Sequence, residues 1–160
     1  MEGPSTSASG LDELADLYAT LHSVHLATAS YGSLVQQVEI SWIRRRALYT
    51  AAIEAQRGVY FVARDDAGRA VGYAFAVASL GADDTFDSRG IVELVTLVVA
   101  RGDRRSGVGR ALVGAVEDHA RHLGADTIKV GVMVGNDEAH EYYLGLGYRP
   151  GETLLYRSIG

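Results

Sequence analysis

Residues 91–109 read Ile91-Val-Glu-Leu-Val-Thr-Leu-Val-Val-Ala100, then Arg101-Gly-Asp-Arg-Arg-Ser-Gly-Val-Gly109. The first part is nearly continuously apolar, which suits a central strand buried on both faces. The second is a charged, glycine-bearing loop. Past it the spacing predicts a helix from about Val108 to Leu123, with Leu112, Ala115, Val116 and His119 inward and Gly124 as its C-terminal stop. Thr127 to Val134 reads as another strand. Strand, helix and strand in this order imply a right-handed parallel crossover.

The segment Arg104-Arg105-Ser106-Gly107-Val108-Gly109 therefore sits between a buried strand and the start of a helix. Glycines there let the backbone approach an anion closely and turn its N–H groups toward it. The helix N-terminus adds partial positive charge, and Arg104 and Arg105 add full charges. A phosphate or pyrophosphate is the matching ligand. Two familiar loops do not fit. The dinucleotide fingerprint needs Gly or Ala three positions after Gly109, where Leu112 stands. The nucleotide-hydrolase loop needs Gly-Lys-Ser/Thr, and this loop has no lysine. Taken alone, the loop also admits a plainer reading, a glycine-rich turn with surface arginines.

Outward from this centre the chain reads as one domain. Its 160 residues are 48% hydrophobic and 22% charged, ordinary for a folded globular chain and against disorder. Residues 1–10 are small and polar and are expected to be a disordered tail, with the domain over 11–160. They lack the basic and apolar regions of a secretory signal. Ser9 with Asp12 resembles a helix-opening capping pair, and Leu11, Leu14, Leu17 and Leu21 carry a helix to about Ala29. After a break at Tyr31-Gly32-Ser33, a second helix covers about Leu34 to Gln56, with Val38, Trp42, Tyr49 and Ile53 on one stripe. Val59 to Ala63 and Ala70 to Leu80 form a hairpin about Asp65-Asp66-Ala67-Gly68. Gly81 to Gly90 is a polar loop. Asn136 caps a short helix ending near Gly147, and Tyr148 to Ile159 reads as a last extended stretch. The expectation is an α/β fold whose sheet is antiparallel except at the crossover.

Composition also bounds the chemistry. The absence of cysteine excludes disulfides, thiolate metal sites and a cysteine nucleophile, and permits a reducing cytoplasm, the expected location. No apolar run is long enough to cross a membrane. A net charge of −5 argues against nucleic acid as partner and leaves a cationic small molecule or peptide open.

Two motifs in order carry a family resemblance. Arg104-x-x-Gly107-x-Gly109, between an apolar strand and an amphipathic helix, resembles the acyl-CoA pyrophosphate loop of the GNAT superfamily of N-acyltransferases. Asn136-x-x-Ala139-x-x-Tyr142-Tyr143-x-x-Leu146-Gly147-Tyr148 resembles that superfamily's second motif, separated from the first by the expected helix and strand. The likeness covers about Val59 to Ser158. It implies a mixed sheet flanked by helices, with parallel strands 91–100 and 127–134 that splay apart. It implies acetyl-CoA as cosubstrate, with no metal. It implies a pantetheine arm along the backbone of Leu97, Val98 and Val99, and a pyrophosphate held at Arg104, Arg105, Ser106, Gly107, Val108, Gly109 and Arg110. Asn136 is then expected to contact the arm. The implied activity is acetyl transfer to a primary amine on a small molecule or peptide, directly within a ternary complex, by a monomer or homodimer. A non-catalytic acyl-CoA-binding module and an O-acyltransferase are the alternatives on the same fold. The departures are a first strand that is missing or very short, Arg101-Gly102 where many relatives turn at proline, and a short tail after Tyr148.

The reaction has two proton problems, loss from the acceptor ammonium and delivery to the leaving thiolate. Glu93 interrupts the apolar strand, and strict alternation sets it on the face of Val95, Leu97 and Val99. Its place, eleven residues before Arg104, matches a general-base glutamate of a histone-acetylating branch. An isolated buried carboxylate would hold its proton more tightly than usual; a pairing with lysine or arginine at the strand mouth is the structural alternative. Tyr143 matches the family tyrosine facing the sulfur, and a phenol with a pKa of about 10 can protonate a thiolate whose conjugate acid lies near 8.5. Tyr142 is its neighbour and competitor.

The remaining features read more plainly. His22/His25 and His119/His122 stand at i, i+3, a spacing that can hold zinc, but no third ligand stands out. His22 and His25 are also candidates for the border of the acceptor pocket. Arg44-Arg45-Arg46 lies mid-helix and suits a solvated face with one snorkelling arginine. Asp83, Asp84 and Asp87 could attract a cationic acceptor, with Tyr31 and Trp42 adding to its pocket.

Overall fold

The computed structural model describes residues 1–29, 35–81, 85 and 87–159. The break at Tyr31-Gly32-Ser33 and the expectations for Tyr31, Asp83 and Asp84 lie outside them. The elements are β1 (Glu2–Ser5), a 3-10 helix (Ala8–Leu14), α1 (Ala15–Thr28), α2 (Val38–Glu54), β2 (Gly58–Arg64), β3 (Ala70–Leu80), β4 (Gly90–Val99), a 3-10 turn (Arg101–Asp103), α3 (Val108–His122), β5 (Thr127–Val130) and α4 (Asp137–Gly145). The strands form one mixed sheet in the order β1-β2-β3-β4-β5, parallel only between β4 and β5.

Residues 1–10 are not a disordered tail. β1 pairs antiparallel with β2, Glu2 opposite Val62 and Ser5 opposite Tyr60, and Glu2 and Glu13 both bind Arg64. A strand of four residues needs only an edge to add to, and nothing in its own apolar pattern announces it. The capping pair also moves: Ser7, not Ser9, caps the 3-10 helix and accepts from the Ser9 amide. The hairpin turn forms as read, with Asp65 accepting from the amides of Ala67 and Arg69.

Each sheet face carries its own core. On one, Leu112, Val113, Val116 and Ala120 of α3 pack on Val59, Phe61, Ala74, Ala76, Val92 and Leu94. Ala115 is only partly buried there, and His119 meets the edge of Phe61 at 6.1 Å. On the other face, Leu11, Leu14 and Leu17 join Tyr49 and Ile53 over Tyr60, Val62, Tyr73, Phe75 and Val98. Tyr49 stacks on Phe75 with ring centroids 3.8 Å apart. Gly124, at φ 79°, ends α3 as read.

The C-terminal part departs from expectation. β5 stops at Val130 rather than Val134, and the stretch Tyr148 to Ile159 forms no strand and is exposed from Arg149 on. Leu154, Leu155 and Ile159 give it strand-like composition, yet they cover no core, Leu155 being 91% exposed. Composition alone does not make a strand without a neighbour to pair with.

Candidate active site

Two irregularities in β4 shape the site. β3 pairs with β4 at Ala76↔Leu94 and next at Phe75↔Thr96, so Val95 is an extra residue, a β-bulge. The bulge exchanges the faces beyond it. Val92 and Leu94 face α3, and so do Leu97 and Val99. Glu93, opposite Val77, shares instead the α1–α2 face with Phe75, Tyr73 and Val98. The expectation that Glu93 lines up with Leu97 and Val99 is thus corrected, because alternation counts through a bulge one residue out of step.

The second irregularity is a parting of strands. β4 and β5 pair from Ile91↔Thr127 to Leu94↔Val130 and no further. The edge of β4 from Val95 to Val99, which includes Leu97 and Val98, therefore has no strand partner on that side among the described residues. The opening leads to the 104–110 loop.

In that loop Arg105 has φ 63° and Gly107 has φ 90°, so the chain curls tightly before α3. No side chain caps the helix at Gly107. Among the described residues, the amides of Ser106, Gly107, Val108, Gly109 and Arg110 have no backbone or side-chain acceptor. A Cβ added at Gly107 would meet nothing within 4 Å. Arg104 reaches Glu138 on α4 at 3.4 Å. Ser106 Oγ donates to the Asp103 carbonyl and steadies the curl. Val108 packs against the α3-side core. Open amides and an arginine pair fit the pyrophosphate of a CoA-type group. Behind the loop, the buried Tyr142 hydroxyl has no partner among the described residues and lies 3.1 Å from where a Cβ on Gly109 would stand.

The side chains singled out for proton transfer stand in contrast. Glu93 is neither isolated nor buried: its side chain is 46% exposed and its Oε2 lies 3.5 Å from Lys129 Nζ. β5 supplies that lysine because Glu93 and Lys129 are register partners. Tyr143 is 8% exposed, set edge-on to Tyr142 and to Tyr148, both at 5.3 Å. Burial pushes its phenol well above the usual range, with Tyr142 and Tyr148 adding to the effect. Burial also raises Tyr142, and it lifts Tyr148 to about 12 with help from Glu117. Asn136 spends its side-chain oxygen as the α4 cap, accepting from the Ala139 amide at 3.2 Å. Only its NH2 end is left to meet a pantetheine arm.

Pattern reading missed a buried hydroxyl chain on the α1–α2 face. Tyr49 Oη bonds Thr96 Oγ1, the residue after the bulge, and reaches Tyr73 Oη at 3.3 Å. Burial raises both phenols. The available signal was Thr96, the one hydroxyl in the apolar strand. Two of the histidines lie inside α1's packing. His22 is buried with Nε2 at 2.8 Å from the Gln36 carbonyl. His25 is lowered by burial, then by Arg45 and His22. Among the described residues no cluster of three His, Asp or Glu could hold a metal ion, and no helix is long and apolar enough to cross a membrane.

A family model described as acetyltransferase (GNAT) family matches residues 16–148. The chain belongs to the GNAT acetyltransferase family. Its fold is that of several solved structures. A tetramutant of the BH1408 protein from Bacillus halodurans matches with TM-score 0.80 and 20% identity, over 96% of either chain. The aminoglycoside 6'-N-acetyltransferase AAC(6')-IG from Acinetobacter haemolyticus matches with TM-score 0.72 and 18% identity, over 100% of this chain and 99% of that one. AAC(6')-Iy, solved in complex with the bisubstrate analog CoA-S-monomethyl-acetylneamine, matches with TM-score 0.68 and 20% identity, over 94% and 92%. No curated protein matches the chain significantly.

Proposed function

We propose that this GNAT protein is an N-acetyltransferase that moves the acetyl group of acetyl-CoA to a primary amine by direct attack in a ternary complex. The observation that carries the reading is the opening between β4 and β5 after Leu94 and Val130, placed beside a loop of unpaired amides. The bisubstrate complex of AAC(6')-Iy, of the same fold, supports a small-molecule amine as acceptor.

Acetyl-CoA supplies an activated thioester. The amides of Ser106 to Arg110, with Arg104 and Arg105, hold its pyrophosphate. The free edge of Leu97 to Val99 and the Asn136 NH2 orient the pantetheine arm, which sets the thioester at the bulge. The acceptor approaches from the α1–α2 face, where Glu93 takes the ammonium proton through a water. The amine nitrogen then bonds the acetyl carbon, the carbon–sulfur bond breaks, Tyr143 gives its proton to the departing thiolate, and the second proton leaving the nitrogen returns through solvent to Tyr143. Burial keeps the Tyr143 phenol protonated before each cycle and also makes it a weaker acid than a free tyrosine, so its proton moves only as charge gathers on the departing sulfur. The absence of cysteine removes the most direct acyl-enzyme alternative.

Thiol release from acetyl-CoA, measured with an amine pool, an alcohol pool and buffer alone, tests the reading. Release that requires amines is the expected result. Release with alcohols or with water alone would overturn it.

A further inference from the structure

The arginine triplet on α2 forms the expected surface face with one arginine, Arg45, drawn inward. Arg46 pairs with Asp12, Nε to Oδ1 2.5 Å. Arg44 is exposed at the lip of a cavity. Arg45 is half-buried, its guanidinium carbon 5.7 Å from the centroid of the Tyr18 ring. The cavity measures about 200 Å³ and is lined by Tyr18, Gln36, Ser41, Arg44, Arg45 and Leu48.

The groups around Arg45 are neutral or cationic. Tyr18 Oη pairs with Ser41 Oγ at 2.7 Å. Tyr49, one turn along α2, is engaged with Thr96 and Tyr73. From α1 come His22, bonded to the Gln36 carbonyl, and His25. Among the described residues no carboxylate pairs with Arg45, although six other arginines and Lys129 each have one. Burial works against the charge of Arg45, and the Tyr49 and Tyr18 phenols, with a hydrogen bond between Arg45 and Tyr18, more than offset that, so Arg45 stays cationic with no full negative charge facing it. Its planar fork matches a carboxylate with two parallel hydrogen bonds. The whole chain carries net charge −5, so this cationic cavity runs against the general charge rather than expressing it. Its position is also specific: Arg45 stands four residues before Tyr49, and Tyr49 bonds the residue after the β4 bulge.

We propose that this cavity anchors a carboxylate of the acceptor, so that the amine acetylated is a small amino acid-like molecule rather than a polyamine. The proposal rests on the transferase reading and narrows it to one substrate class. Arg45 is the binding residue, with Ser41, Gln36 and Arg44 as further donors around the same anion.

The experiment compares proteinogenic amino acids with their carboxamides and with polyamines, reading thiol release in the wild type, Arg45→Gln and Arg45→Lys. The wild type should favour acids over carboxamides by about 10- to 100-fold in kcat/KM, the scale of one charge-assisted contact. Arg45→Gln should bring the ratio near unity, mainly through KM, while CoA raises its melting temperature as in the wild type. Arg45→Lys should keep part of the preference. Carboxamides or polyamines used as well as acids by the wild type, or an acid preference undiminished in Arg45→Gln, would overturn the proposal. Calorimetry of the wild-type CoA complex with N-acetyl amino acids and N-acetyl amino acid amides decides it without turnover or variants. Acids binding more tightly supports the anchor, and equal binding overturns it. Absent thiol release with every amine, together with tighter binding of the acids, would defeat the transferase reading and leave the carboxylate site standing.

Discussion

Tyr142 and Tyr143 are adjacent in sequence and meet different surroundings. Tyr143 is enclosed by aromatic rings, while Tyr142 turns a buried, unpartnered hydroxyl toward Gly109 at the start of α3. Their phenylalanine variants should therefore fail differently. Tyr143→Phe removes only the proton donor, so kcat should fall about 10²-fold with CoA affinity unchanged. On the proposed reading the Tyr142 hydroxyl turns to the cofactor when it binds, so Tyr142→Phe should weaken CoA binding several-fold with kcat nearly intact. Paired titration and turnover measurements check both; the reverse pattern would make Tyr142 the acid. For Glu93, the exposed pair with Lys129 is worth about 0–1 kcal/mol, so Glu93→Gln should hardly move the melting temperature. It should lower kcat/KM for a strongly basic amine by about 10²- to 10⁴-fold. The loss should shrink as pH rises and free amine accumulates, and for a weakly basic acceptor. Parallel pH–rate profiles for variant and wild type would rule out the base. The sequence showed which glutamate and which tyrosine to inspect. It hid their surroundings, because Lys129 and the ring cluster come from elements whose contacts only the fold creates.

Among elements, β4 was the most legible and also the most misread. Its length and apolarity marked a central strand, yet the extra residue at Val95 has no signature in a run of valines and leucines. The hairpin and the stop of α3 were readable because Asp65 and Gly124 act locally. β1, the end of β5 and the tail after Tyr148 were not, since edge pairing depends on partners distant in sequence. The starts of β4 and β5 are joined by Asp126, which accepts from Ser88 Oγ at 2.8 Å and from the Arg89 amide and Nε. Those bonds, Ser88 first and Arg89 next, lower its pKa from 3.8 to about 2. A carboxyl lowered in the folded state stabilises the fold above its ordinary pKa. That contribution fades as pH falls from about 4 through about 2. Asp126→Asn should therefore melt a few degrees lower at pH 7 and converge with the wild type toward pH 2. Melting curves across that range check this, and a gap independent of pH would contradict it.

At the scale of the molecule, two cores clamp a sheet whose parallel strands part where β4 bulges. α3 starts from the loop on one side, and α1 and α2, with the Arg45 cavity between them, cover the other face. A cofactor lodged in the opening should stabilise the whole fold by mass action, by about 2.7 kcal/mol at a hundred times its Kd, or several degrees of melting temperature. Gly107 is the place to test this, because it stands in open space with φ 90°. Valine there strains the backbone by about 1–3 kcal/mol and puts a side chain where the amides converge, without touching either core. The decisive measurement is the melting temperature of wild type and Gly107→Val with CoA, ATP or NAD added. The account predicts a rise of several degrees for the wild type with CoA alone, and none for Gly107→Val. A wild type stabilised by ATP or NAD but not by CoA, or a variant stabilised by CoA as fully as the wild type, would contradict it.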